Sequence, residues 1–170
     1  MKEIDFRYDL LPLKNKLFRL ALRITLNSAE AEDITQDTLL RVWSKRKSLG
    51  KVDSIEALCT TICRNMALDR LEKKSAQNLS LDATPIDTTD NALLPDEMME
   101  REEKMAQVQL LFNSLPEKQR TALQLRDIEE KTYKEVAECM GISEDNVKVL
   151  IHRARLYIRQ KYEKIEKYGL

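Results

Sequence analysis

The chain has 170 residues, 42% of them hydrophobic and 34% charged, enough apolar material for one ordinary domain or two small helical ones. Its 29 basic and 29 acidic residues cancel, and no stretch approaches the roughly 18 uninterrupted apolar residues of a membrane span. Three glycines and four prolines are too few for sandwiches, barrels or phosphate-cradling loops, which need many turn residues.

In chain order, Leu10, Leu13, Leu17, Leu20 and Ile24 recur at helical spacing and predict a first helix with one buried face. Asn27 or Ser28 opens a second, with Glu30, Glu32 and Asp33 in the first turn, where the helix dipole favours acids. Its apolar face is Ile34, Leu39, Val42 and Trp43, and it runs out near Leu49-Gly50. Asp53-Ser54-Ile55-Glu56 has capping-box spacing for a third helix, with Ile55, Leu58, Ile62 and Met66 as its buried stripe and an end near Ala76.

Residues 77–100 break every periodic pattern. They hold two prolines, six acids and no base, the composition of an extended, flexible linker. Periodicity returns with Met105, Val108 and Phe112; Ser114-Leu115-Pro116-Glu117 then starts another helix, with proline in its first turn and Glu117 placed to complete the cap. Thr132, with Glu135 as capping partner, opens a short helix that buries Val136, Ala137 and Met140 and stops at Gly141. Ser143 caps the last helix, which buries Val147, Leu150, Ile151, Ala154 and Ile158. The fold class expected is all-α: two small helical domains, 5–76 and 101–170, joined by the flexible acidic linker, the second containing a helix-turn-helix.

The zero net charge conceals segregation. Residues 1–76 carry 15 bases and 11 acids, residues 101–170 carry 14 and 12, and residues 146–170 alone carry seven against two. Segregated charge, not its total, governs binding to a polyanion. The last helix must show its free face to something, and there Lys148, His152, Arg155 and Arg159 fall at steps of four, three and four, with Arg153 beside them. Such a stripe suits the major groove, where Lys and Arg read guanine edges or hold phosphates. A solvated helical hairpin is the plainer reading of a charged face, but two caps around a glycine corner favour DNA.

No catalytic constellation accompanies it. The only histidine, His152, belongs to the basic stripe, so no triad is available and no enzyme is expected. Cys59, Cys63 and Cys139 lack the ligands of a metal site and read as small buried hydrophobes; no metal or cofactor is expected. Cysteines without secreted-scaffold spacing point to a reducing cytoplasm. The segment MKEIDFRYDLLPLKNK carries acids and lacks the apolar stretch of a secretory signal.

The sequence SLPEKQRTALQLRDIEEKTYKEVAECMGISEDNVKVLIHRARLYIRQ resembles the carboxy-terminal promoter-binding region of bacterial sigma factors. AEDITQDTLLRVW and IEALCTTICRNMALDRL resemble the core-binding and −10-recognition segments of the same family, and with nothing further present the likeness is to the extracytoplasmic-function (ECF) sigma factors. The resemblance implies a partner, core RNA polymerase, docked through Asp33, Gln36, Leu40 and Trp43. It implies contact with the melted −10 strand through Asn65, with Asp69, Arg70, Lys73 and Lys74 extending that surface. It places Lys148, Val149, His152, Arg153, Arg155 and Arg159 in the −35 duplex, and implies an anti-sigma factor as a further partner, with neither small-molecule substrate nor membrane insertion.

Departures from the family pattern matter. Ala57 stands where tryptophan is frequent, Asn146 where threonine is common, and Val149 where a small polar residue is common. No aromatic residue occurs from Ser44 through Leu111, so an extruded base has no stacking platform there. The expectation is instead a polar pocket built by the loop 48–53 with Asn65. Asp82, Asp87 and Asp90 in the linker are expected to imitate a phosphate backbone inside polymerase.

Overall fold

A computed structural model describes residues 3–50, 52–77 and 96–168; the linker carboxylates Asp82, Asp87 and Asp90 lie outside them. The described chain is helical, with no strand. After a π turn at Phe6–Leu10 and a 3-10 turn at Leu11–Leu13 come α1 (Lys14–Thr25), α2 (Ser28–Ser44) and α3 (Ile55–Gln77). Then follow α4 (Asp96–Asn113), α5 (Glu117–Leu123) with a π turn at Gln124–Ile128, α6 (Tyr133–Met140) and α7 (Glu144–Tyr168).

The first helix starts later than its leucine spacing suggests. Pro12 sits in the 3-10 turn, and a proline offers no N–H to a regular ladder; Leu10 and Leu13 are nonetheless buried with Leu17, Leu20 and Ile24. α1 closes on Leu26 in the left-handed region, φ 57°, whose N–H bonds to Leu22 O. Asn27 Oδ1 accepts from the Glu30 N–H at 3.0 Å and caps α2, which ends at Ser44, six residues before Gly50. The capping box foreseen at 53–56 is not the one used. Ser54 Oγ accepts from the Ala57 N–H, and Glu56 turns away to Lys16 and Lys131.

In the second half, α4 begins at Asp96, inside the stretch expected to be linker. Pro116 is the N-cap of α5 without a side-chain bond. Glu117 accepts instead from Thr121 Oγ1, while the Ser114 hydroxyl bonds Leu111 O and Tyr157 Oη. The capping box of Thr132 and Glu135 forms as foreseen, Gly141 closes α6 at φ 67°, and Ser143 Oγ accepts from the Asn146 N–H.

α1, α2 and α3 pack on one another, and α7 packs on α4, α5 and α6. The two groups also meet: α3 lies against α6, and α1 against α5. Arg120, 6% exposed, sits in that seam. The hydrophobic cluster runs from Leu10 to Ala154 through both groups. Among the described residues no helix is long and apolar enough to cross a membrane.

Candidate nucleic-acid and polymerase interfaces

Helix α7 buries Val147, Ile151 and Ala154. At 3.6 residues per turn, Val149 and Leu156 stand opposite that stripe, flanked by His152 and Arg153, and all four are exposed. Lys148, Arg155 and Arg159 occupy one flank rather than the crest, so the stripe read from spacing is displaced toward α6. There Lys148 Nζ lies 5.5 Å from the centre of the Tyr133 ring, and the Arg126 guanidinium lies 4.4 Å from the same ring. Arg155 is committed differently. It grips Asp127 through Nε at 3.0 Å and a second bond through Nη2, a bidentate geometry that raises its already high pKa. Arg126, beside Lys148, escaped the sequence reading; its signal was a cation in LRDIEE, just before the helix pair.

On α3, Asn65 is exposed and accepts from Arg64 Nη1 at 3.2 Å. Asp69 and Lys73 are exposed. Arg70 turns back to Asp33 and Asp37 of α2, and Lys74 lies 3.5 Å from Glu30. These two cations therefore fasten α3 to α2, so one expected DNA contact and one expected polymerase contact, Arg70 and Asp33, are partners within the chain.

The loop after α2 borders an open hollow of about 590 Å³ lined by Arg46, Lys47, Gly50, Val52 and Ile55, with Glu3 and Ile4. Asn65 is not in its wall. On the outer face of α2, Gln36 and Asp33 are exposed and Leu40 is 56% exposed, a large apolar side chain left to solvent beside polar ones. Trp43 is half-buried: the Phe6 ring meets it edge-on at 5.5 Å, and the Arg46 guanidinium lies 3.7 Å from its centre.

The cysteines are buried. Burial pushes the Cys59 thiol up to about 11 and the Cys63 thiol up to about 12, and raises that of Cys139; a thiol so shifted is a poor nucleophile at neutral pH. Among the described residues no group of His, Cys, Asp or Glu could hold a metal ion.

Capped helices around a glycine corner, with an exposed cationic face on the second, define a helix-turn-helix DNA-binding protein. Residues 12–77 match Sigma-70 region 2, and residues 105–158 match Sigma-70, region 4. The chain is similar to the ECF RNA polymerase sigma factor SigL of Mycobacterium tuberculosis: 31% identical over 143 residues, 81% of this chain and 77% of that one. It is 28% identical over 148 residues to the ECF factor SigE of Mycolicibacterium smegmatis, 85% of this chain and 56% of that longer protein. In fold it is similar to the sigma factor RpoE solved with the anti-sigma factor NepR from Bartonella quintana (TM-score 0.72, 24% identity, 95% of this chain and 98% of that one). The chain belongs to the sigma-70 family, among its ECF members. It is an alternative sigma factor: it binds core RNA polymerase and promoter DNA and directs promoter-specific transcription.

Proposed function

We propose that residues 5–76 dock on core polymerase and hold the −10 element, that residues 77–100 connect, and that residues 101–170 enter the −35 major groove. The observation that carries this reading is the outward crest of α7, where Val149, His152 and Arg153 stand exposed on a helix anchored from behind by Val147, Ile151 and Ala154. Arg153 and His152 supply donors to base edges, Lys148 and Arg159 hold phosphates on the flank, and Val149 offers an apolar contact to a thymine methyl. Arg155 serves this face by fixing Asp127 and, through it, the turn before α6.

Asn65 is read as a contact to an unpaired −10 base, since an amide can bond a base edge bidentately. Lys73 provides a phosphate contact beside it, and Asp69 a polar neighbour. The hollow after α2, with Arg46 and Lys47 in its wall, is the receptacle proposed for an extruded base, which needs polar partners in place of an aromatic platform. Leu40 with Gln36 and Asp33 forms the polymerase-docking patch, and Trp43, further along α2 and packed against Phe6, completes it.

The chain itself carries out no chemistry in this reading; polymerase performs the phosphoryl transfer, in the cytoplasm. An anti-sigma factor is proposed as a second partner, supported by the complex in which the Bartonella quintana factor was solved.

Transcription from defined templates with purified core enzyme tests the assignment. Asn65→Ala is expected to slow open-complex formation while leaving core binding unchanged; unaltered open-complex kinetics would remove Asn65 from the site. A stand-alone regulator would instead bind its operator without polymerase, which a gel shift with and without core enzyme distinguishes.

A further inference from the structure

The outward face of α7 begins with an acid. At 3.6 residues per turn, Asp145 lies about 40° from Val149 and about 20° from Leu156 around the helix axis, which puts it on the crest. It is exposed and enters none of the ion pairs among the described residues. Its neighbour Glu144, also in the first turn, is turned about 120° from Leu156, toward the flank of Lys148. Either carboxylate steadies the positive end of the helix dipole, but only Asp145 does so on the face that carries Val149, His152 and Arg153. The turn beneath it is firmly held: Ser143 Oγ accepts from the Asn146 N–H at 3.1 Å, and Val147 is fully buried.

A recognition helix presents its N-terminal residues to base edges. The duplex carries one negative charge for about every 1.7 Å of its axis, so a carboxylate entering the groove is repelled wherever no donor meets it. In the major groove the donors are the exocyclic amines of cytosine and adenine. The adenine amine is flanked by acceptors, its own N7 and the thymine O4 across the pair, whereas the cytosine amine has the C5–H edge on one side. A carboxylate with no donor of its own therefore accepts best from cytosine. Val149, one turn further on, is the apolar group of the same crest, suited to a thymine methyl. The rise of that turn, about 5.4 Å, covers one to two base-pair steps of about 3.4 Å.

We propose that Asp145 is a specificity-determining residue of the −35 contact, accepting a hydrogen bond from N4 of a cytosine one or two base pairs from the thymine met by Val149. The proposal rests on the −35 assignment above and names bases that this face reads. Its effect is more on discrimination than on affinity: at any other base the carboxylate is left unpaired beside the phosphates, so the wrong sequence is rejected.

Holoenzyme assembled from the full chain and core polymerase, used to select from a pool of random-sequence duplexes that are then sequenced, tests the contact. Wild type is expected to enrich an upstream element with a cytosine within two base pairs of a thymine, preferred about tenfold over other bases at that position. Asp145→Ala should lose that one preference and keep the others. Asp145→Asn should move it to adenine, which an amide bonds at N6 and N7. Melting temperatures of the three free proteins report the dipole contribution separately. An enriched element without the cytosine, or base preferences unchanged in both variants whatever their melting temperatures, would overturn the role. So would variants that bind every sequence more tightly with discrimination intact, the mark of an acid that only repels. A wild-type holoenzyme that enriches no upstream element at all would remove the −35 assignment itself, an outcome distinct from the loss of one base position.

Discussion

Two arginines on α7 that look equivalent in the sequence have different surroundings. Arg153 stands exposed near the crest, whereas Arg155 is held in two bonds by Asp127. Arg153→Ala is therefore expected to weaken −35 binding by about 1–3 kcal/mol, the worth of a base contact, and to leave thermal stability unchanged. Arg155→Ala should act chiefly by freeing Asp127 and the turn before α6, lowering the melting temperature more than it alters discrimination between −35 sequences. Melting curves and competition binding on holoenzyme separate the two effects; equal loss of discrimination would refute the distinction. Lys148, His152 and Arg159 share one exposed side of α7, as spacing along a single helix requires, but that side is its flank toward α6 and not the crest. That Arg70 and Asp33 bond one another was not legible, since they lie 37 positions apart on different helices.

At the scale of elements, helix ends were the most readable feature where a side chain of the right reach stood next to its own backbone. Thr132 and Glu135 form the box that their spacing predicts. Thr132→Ala should cost about 1 kcal/mol, measurable by denaturant melts, and destabilise α6 together with α7, which packs on it. The same reasoning went astray at Asp53–Glu56 and at Ser114. Each motif has a correct local partner, but Glu56 has two lysines to satisfy and Ser114 has Tyr157, and a tertiary partner displaced the local one.

For the whole molecule, Glu56 ties the seam to pH. Its bond from Lys131 holds its carboxyl below the usual carboxylate range. A group whose folded pKa is depressed stabilises the fold fully above its unfolded pKa, and loses that contribution as pH falls through the folded value. Glu56→Gln is thus expected to be less stable than wild type at neutral pH, with the difference shrinking on acidification through and below the normal carboxylate range. Paired urea melts at pH 7 and pH 3 test this; a difference that persists at low pH would show that Lys131 is not the source.

By itself the sequence determined the helices, most of their buried faces and the helix-turn-helix, because periodicity and capping are written within a few residues of one another. Its segregated charge pointed to nucleic acid for the same local reason. Only the tertiary structure decided that the two halves rest against each other, with Arg120 completing α1 from 97 positions away and Arg155 withdrawn to Asp127. Contacts over such separations leave no period in the chain: each depends on two surfaces meeting, and neither surface encodes the other.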